Sequence, residues 1–382
     1  MLSVCIVKQH STYDLYTTGG SNLRAIVESS NWRTGPIGLW EAFISDVRIV
    51  REHPDRECQL GKSHWERYVL GWEIWPLGNE PEDSDKIDWG QYDIIISIDV
   101  AIPQRIIKKY PHVLWCYYFI EFGPHGIDTV FKGSPFYGYN IFLNQRLAKI
   151  SLDNKSREVI LMRKYKRSTL DFPYYLLSAN SIKRLYPEFR NLKREGIIFS
   201  HHSYEKLSKV EYNNINKFGN VKGGYKKLSD IHKLELSSKY FVVHPESTPR
   251  AGTAVIEAIS AGCLVLSPKK SLWGFPEFIS EEFDYKDFNG LLQILEKFEC
   301  NSSLYERELR IQSEKVDKWC FKNPVSNLET LYRSFLDSTC SPFRQHIDET
   351  MSAIRGKSLW NTAYIINKAM ARITQRLPKG LT

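Results

Sequence analysis

The chain has 382 residues, of which 42% are hydrophobic, 13% aromatic and 25% charged. Those proportions exclude a disordered or fibrous chain and fit a folded protein long enough for two separate cores. The net charge is +8, but residues 350–382 hold no acid and six bases (Arg355, Lys357, Lys368, Arg372, Arg376 and Lys379). The rest of the chain is near neutral, so nucleic acid is not expected as a partner.

The seven cysteines, at positions 5, 58, 116, 263, 300, 320 and 340, form no CxxC pair. That argues against a zinc knuckle or a dense disulfide framework and fits a reducing compartment. The start of the chain lacks a signal-like basic region, and no run nears the roughly 18 apolar residues of a spanning helix. A soluble cytoplasmic protein is the expectation.

In chain order, residues 2–7 read as a strand, followed by a loop containing Gly19 and Gly20. A Gly/Pro turn at 34–38 precedes a helix-like stretch at 39–43. Residues 51–79 are irregular and rich in Trp. Runs at 93–98 and 113–119 are almost continuously apolar, which suits parallel strands buried on both faces, and 103–109 supplies a crossover helix between them. Residues 146–194 are polar and basic, with the densest cluster at 163–167, and read as a solvated inter-domain linker in preference to a phosphate patch. A second α/β pattern follows: strands at 196–200, 240–244 and 263–266, and helices at 226–236 and 252–261. The fold class is α/β, with two doubly wound domains in tandem.

The stretch 240–279 carries the chemistry. A strand ends in a Pro-containing turn and a helix begins at Gly252-Thr253. Unpaired N–H groups at that helix start, aligned with the helix dipole, suit a phosphate. Gly252 allows close approach, Thr253 adds a hydroxyl, and Arg250 can neutralise a diphosphate. Glu257 lies one turn further on the same face, where it can accept from both hydroxyls of a ribose.

These residues resemble the signature of the GT-B glycosyltransferases, specifically the family-1/family-4-like bacterial group. Pro245, Gly252 and Glu257-Ala258 match its P-S-x-x-E-G-x-G-x-x-x-x-E-A pattern with unbroken spacing. Residues 260–265 resemble its A-x-G-x-P-V turn, 274–279 its G-x-P-E-x-I, and 218–221 its F-x-G-x-V. Pro249 and Arg250 depart from the pattern by replacing its first glutamate and the adjoining glycine. The donor sugar and the stereochemical course therefore stay open. The Pro-Arg pair also resembles exostosin-type transferases.

The resemblance implies two Rossmann-like domains facing across a cleft: an acceptor domain at 1–180, a donor domain at 181–340, and a basic helical extension at 341–382. It implies a nucleotide-sugar donor held by Gly19, Gly20, Arg250, Gly252, Thr253, Ala254 and Glu257. It further implies a glycan or lipid-linked acceptor, no metal or other cofactor, and a role in bacterial surface polysaccharide synthesis. Glu121, then Asp99 and His125, are candidate bases, each just beyond a strand end; Glu121 and Asp99 also read as helix caps or surface acids. The acidic run 80–85 contains a DxD that reads as solvated, and adjacent His201 and His202 are not expected to share a metal. A nucleotide-sugar epimerase and a non-catalytic nucleotide-sugar-binding protein remain alternatives. In the tail, Leu359, Ala363, Ile366, Met370, Ile373 and Leu377 form a helical stripe, with Lys368, Arg372 and Arg376 on another face. Residues 358–377 therefore read either as a helix packed on the first domain or as one docked on an anionic membrane.

Overall fold

Ser3–Gln9 (β1) sends Cys5 and Val7 to one face and Val4 and Ile6 to the other, and all four are buried. A strand covered on both faces needs layers above and below it, the condition of a parallel sheet. The computed structural model describes residues 1–9, 37–51, 82–98, 102–119, 139–144, 168–173, 176–224, 228–247, 253–272 and 276–339. With Ile44–Arg51 (β2), Glu82–Asp83 (β3), Ile94–Ile98 (β4), Leu114–Phe119 (β5), Ile141–Asn144 (β6) and Ser168–Asp171 (β7), β1 forms a seven-stranded sheet. Its order is β3-β2-β1-β4-β5-β6-β7 and all its pairings are parallel. The direction of winding reverses between β1 and β4, the switch point of a doubly wound sheet. Helices Ile37–Ala42 (α1) and Gln104–Ile107 (α2) belong to this half.

The second sheet contains Ile197–Phe199 (β8), Val221–Lys222 (β9), Tyr240–Val242 (β10) and Leu264–Leu266 (β11), in the order β11-β10-β8-β9, again parallel. Its switch point lies between β8 and β10. The helices of this half are Ser181–Leu185 (α3), His201–Tyr204 (α4), Lys209–Ile215 (α5), Leu228–Ser237 (α6), Thr253–Ala261 (α7), Phe288–Cys300 (α8) and Ser302–Val316 (α9). The edge of β11 is closed by a side chain: the Gln312 amide accepts from Val265 N at 2.9 Å and donates to Val265 O at 2.8 Å. An amide thereby substitutes for a further strand, and an open edge is avoided.

One helical run links the two cores. α9 turns its buried Tyr305, Gln312 and Val316 to the second core. A π-helical segment, Asp317–Lys322, then leads into Asn323–Thr339 (α10). A π turn takes more residues than an α turn and so rotates the apolar stripe. Cys320 still packs in the second core, while Phe321, Val325, Leu328, Tyr332 and Phe335 pack against the first. Tyr332 donates to Asp93 Oδ1 at 2.8 Å, and Asp93 Oδ2 accepts from Ser3 N at 2.8 Å, fixing the helix at the start of β1 and β4.

Several expectations are corrected. The linker reading fails over 168–186: this stretch holds β7 and the buried Leu176, Leu177, Ile182 and Tyr186. Several of its polar groups make contacts to other elements. Glu41 accepts from Ser181 Oγ at 2.9 Å and pairs with Arg184 at 3.1 Å, and Ala179 N donates to Asp317 at 2.7 Å. Gly38 belongs to α1 and not to a turn, and its N–H donates to Leu176 O at 2.6 Å. A Cβ there would sit 2.4 Å from that oxygen, so only glycine fits. The DxD aspartates Asp83 and Asp85 are exposed, as expected; beside them Arg48 Nη1 reaches both oxygens of Glu82 at 3.0 Å, and Asp85 pairs with Arg105 at the surface. His201 and His202 open α4, a helix and not a strand end. The five described cysteines are free, and no described helix is long and apolar enough to cross a membrane. Residues 341–382, with both readings of the tail, lie outside the described residues.

If α10 holds the first core together, Leu328→Ala should cost about 2–5 kcal/mol. Hydrogen exchange should then show protection lost first in β1 and β4. Loss confined to β8 and β10 would contradict this packing.

Candidate functional site

In open α/β sheets, ligands bind beyond the strand carboxyl ends at the switch point, where neighbouring connections diverge to opposite faces. The register Val242↔Phe199 brings the ends of β10 and β8 side by side. Ser200 and α4 follow one strand, and residues 243–247 follow the other. Ser203 is fully buried here, and its hydroxyl meets Ser200 Oγ at 2.6 Å, Ser247 Oγ at 2.7 Å and His244 N at 2.9 Å.

His244 orders the turn that follows β10. Its Nδ1 accepts from Glu246 N at 3.2 Å, its carbonyl accepts from Ser247 N at 2.9 Å, and its Nε2 lies 3.4 Å from Glu211 Oε1. With Nδ1 accepting, a neutral ring carries its proton on Nε2, facing the carboxylate. Glu211 is also the third residue of a capping box, accepting from Ser208 N at 2.9 Å and Ser208 Oγ at 2.7 Å. Burial works to raise its pKa, but the Ser208 hydrogen bonds, with His244 behind them, hold it below the ordinary carboxylate value. From beneath, the buried Tyr285 hydroxyl donates to Val243 O and, at 3.0 Å, to Leu266 O. Burial pushes that phenol well above its ordinary pKa, so it stays a neutral donor clamping β10 to β11.

Of the residues expected to hold a donor, the structure describes the helix they lead into. α7 begins at Thr253, continues through the half-buried Ala254, and carries Glu257 one turn on, only 4% exposed. Gly19, Gly20, Asp99, Glu121, His125, Arg250 and Gly252 lie outside the described residues. The flanks of Asp99 are held, however: Tyr139 Oη donates to Ser97 Oγ at 2.8 Å and accepts from Ile102 N at 2.9 Å. Among the described residues, no cluster of three or more His, Cys, Asp or Glu could hold a metal ion.

The remaining motif segments serve packing. Gly219 has φ 132°, and a Cβ there would meet Gly196 Cα at 2.7 Å, which explains the glycine between Phe218 and Val221. Phe278 and Ile279 are core residues. The hydroxyl cluster was missed in the sequence because Ser203 and Ser247 lie 44 positions apart. The serines just past two predicted strand ends were its only signal.

No known family matches the sequence, and no curated protein does either. Among solved structures, an α-glucosyltransferase in complex with UDP and DNA containing an HMU base aligns at 9% identity and TM-score 0.48, over 87% of this chain and 99% of that one. HepE from Anabaena in complex with UDP and glucose aligns at 10% identity and TM-score 0.42, over 88% and 100%. A putative UDP-N-acetylglucosamine 2-epimerase from Listeria monocytogenes aligns at 10% identity and TM-score 0.38, over 87% and 95%. At TM-scores below 0.5, the α/β assignment rests on the two parallel sheets themselves.

The exclusion of nucleic acid as a partner is corrected. Two of the aligned glucosyltransferase structures hold DNA together with UDP or UDP-glucose. A net charge summed along a chain does not map the charge of any one face, so it was no ground for the exclusion.

A carboxylate with a depressed folded-state pKa stabilises the fold above its unfolded value, about 4.3. That stabilisation is lost as pH falls through the lower folded value. Glu211→Gln should therefore flatten the acid limb of a plot of Tm against pH below about pH 4.3. An unchanged acid limb would show that the capping box and His244 do not tune this group.

Proposed function

We propose that this protein is a glycosyltransferase that moves a sugar from a nucleoside-diphosphate sugar to a hydroxyl-bearing acceptor. The observation that carries the reading is the burial of Glu257 on α7, one turn past a helix start at the carboxyl end of β10. A carboxylate in that position has the reach and the acceptor oxygens for ribose hydroxyls, with the diphosphate at the helix start. The two parallel sheets, each with its own switch point, support a division in which the second holds the donor and the first the acceptor. In this reading Arg250, Gly252 and Thr253 face the diphosphate. Asp99, Glu121 or His125 takes the acceptor proton, the chemistry of general base catalysis. A glycan is the proposed acceptor, and no metal is required.

Turnover tests the reading. Nucleotide release from a panel of UDP-, GDP-, CDP- and TDP-sugars should depend on an added acceptor and persist in EDTA. Oligosaccharides and duplex DNA form separate acceptor arms. Conversion of the donor to its epimer without acceptor would replace transfer with epimerisation, and binding without any turnover would leave a nucleotide-sugar-binding protein.

Glu257→Ala should weaken nucleotide binding by about 1.5–3 kcal/mol, the range for a hydrogen bond to a charged group, with the fold intact. Arg250→Ala should weaken a nucleoside diphosphate more than the nucleoside. Calorimetry showing intact affinity in the first variant, or equal losses in the second, would contradict these roles.

A further inference from the structure

The hydroxyls at the ends of β8 and β10 fix the direction in which their protons point. A serine hydroxyl has two lone pairs and one proton. On Ser203 both lone pairs are occupied, by donation from Ser200 Oγ at 2.6 Å and from His244 N at 2.9 Å. The Ser203 proton therefore goes to Ser247 Oγ at 2.7 Å. Ser247 accepts in that contact and keeps its own proton to give. The residue is only 9% exposed, and among the described residues no group takes that proton. Buried polar groups are almost always satisfied, so a buried donor oriented in this way points to an acceptor on a ligand.

The donor is also held in place before any ligand arrives. The turn 244–247 is closed by Ser247 N donating to His244 O at 2.9 Å and by Glu246 N donating to His244 Nδ1 at 3.2 Å. Ser271 Oγ reaches Ser247 O at 3.5 Å. Six residues beyond Ser247, α7 begins. A donor at the end of a polarised chain of hydroxyls is strengthened by that chain, and it pairs best with a charged oxygen.

We propose that Ser247 contacts the ligand of this site and donates to an anionic oxygen of a nucleoside diphosphate, with Ser203 as the positioning residue that directs it. The proposal rests on reading this crevice as a nucleotide-sugar site. A ribose hydroxyl, which carries its own proton, suits Ser247 less well than a phosphate oxygen, so the discrimination is for the diphosphate.

The test is calorimetric titration of wild type, Ser247→Ala, Ser203→Ala and the double variant. The probes are whichever of UDP, GDP, CDP and TDP gives the largest thermal shift, and the nucleoside of the same base. Ser247→Ala should lose about tenfold or more in affinity for the diphosphate, with affinity for the nucleoside little changed. Ser203→Ala should lose less, and the double variant should lose no more than Ser247→Ala, because Ser203 acts through Ser247. Unchanged diphosphate affinity in Ser247→Ala, equal losses for diphosphate and nucleoside, or additive losses in the double variant would overturn the assignment. If Ser203→Ala does not fold, Ser247→Ala decides alone. A wild-type protein that binds none of the four diphosphates overturns the reading of the crevice and this proposal with it. Binding that is lost in Glu257→Ala but kept in Ser247→Ala overturns only this proposal.

Discussion

Parallel pairing is the constraint on which the rest of the structure depends. Each strand must be followed by a crossover that returns over a face of the sheet, so every strand ends at the same edge. With the strands' own backbone groups satisfied by their neighbours, the segments leaving that edge are free to serve other ends. In the second sheet they bring Ser200, Ser203, His244 and Ser247 together and open α7 beside them. These polar side chains therefore collect where the topology reverses, and their position follows from strand order.

The same constraint leaves each sheet needing cover on both faces, and the continuous run α9–π–α10 meets it twice. Gln312 seals the edge of the second sheet, and Leu328 fills the first core. Cys320 and Phe321, adjacent in sequence, pack into different cores. The stretch 176–184 lies between α1 and the π segment, bonded to Gly38, Glu41, Asp317 and Cys320. The connection between the two halves is therefore a packed and hydrogen-bonded element, and its polar composition disguises that.

That disguise marks the limit of what the sequence could tell. β4 and β5 were legible because their apolar runs are continuous. β2 was not, because Asp46 and Arg48 interrupt it. Those charges are retained by partners far along the chain: Tyr92 donates to Asp46 and accepts from Arg48 at 2.9 Å, and Glu82 takes Arg48 at 3.0 Å. α10 carried a readable signal in Asn323-Pro324 followed by a stripe at 325, 328, 332 and 335, but a stripe does not say which core it covers. The helix that carries Glu257 was legible from local spacing. The serine cluster was not, because it exists only through the β8–β10 register.

Hydrogen exchange of the whole chain with and without saturating UDP tests the central claim most directly, since it reads the location of binding independently of turnover. The account predicts that UDP protects backbone amides at 200–204 and 244–247 and in the first turn of α7, with no comparable change at the ends of β1 and β4. Protection confined to the first sheet, with the ends of β8 and β10 unaffected, would contradict it.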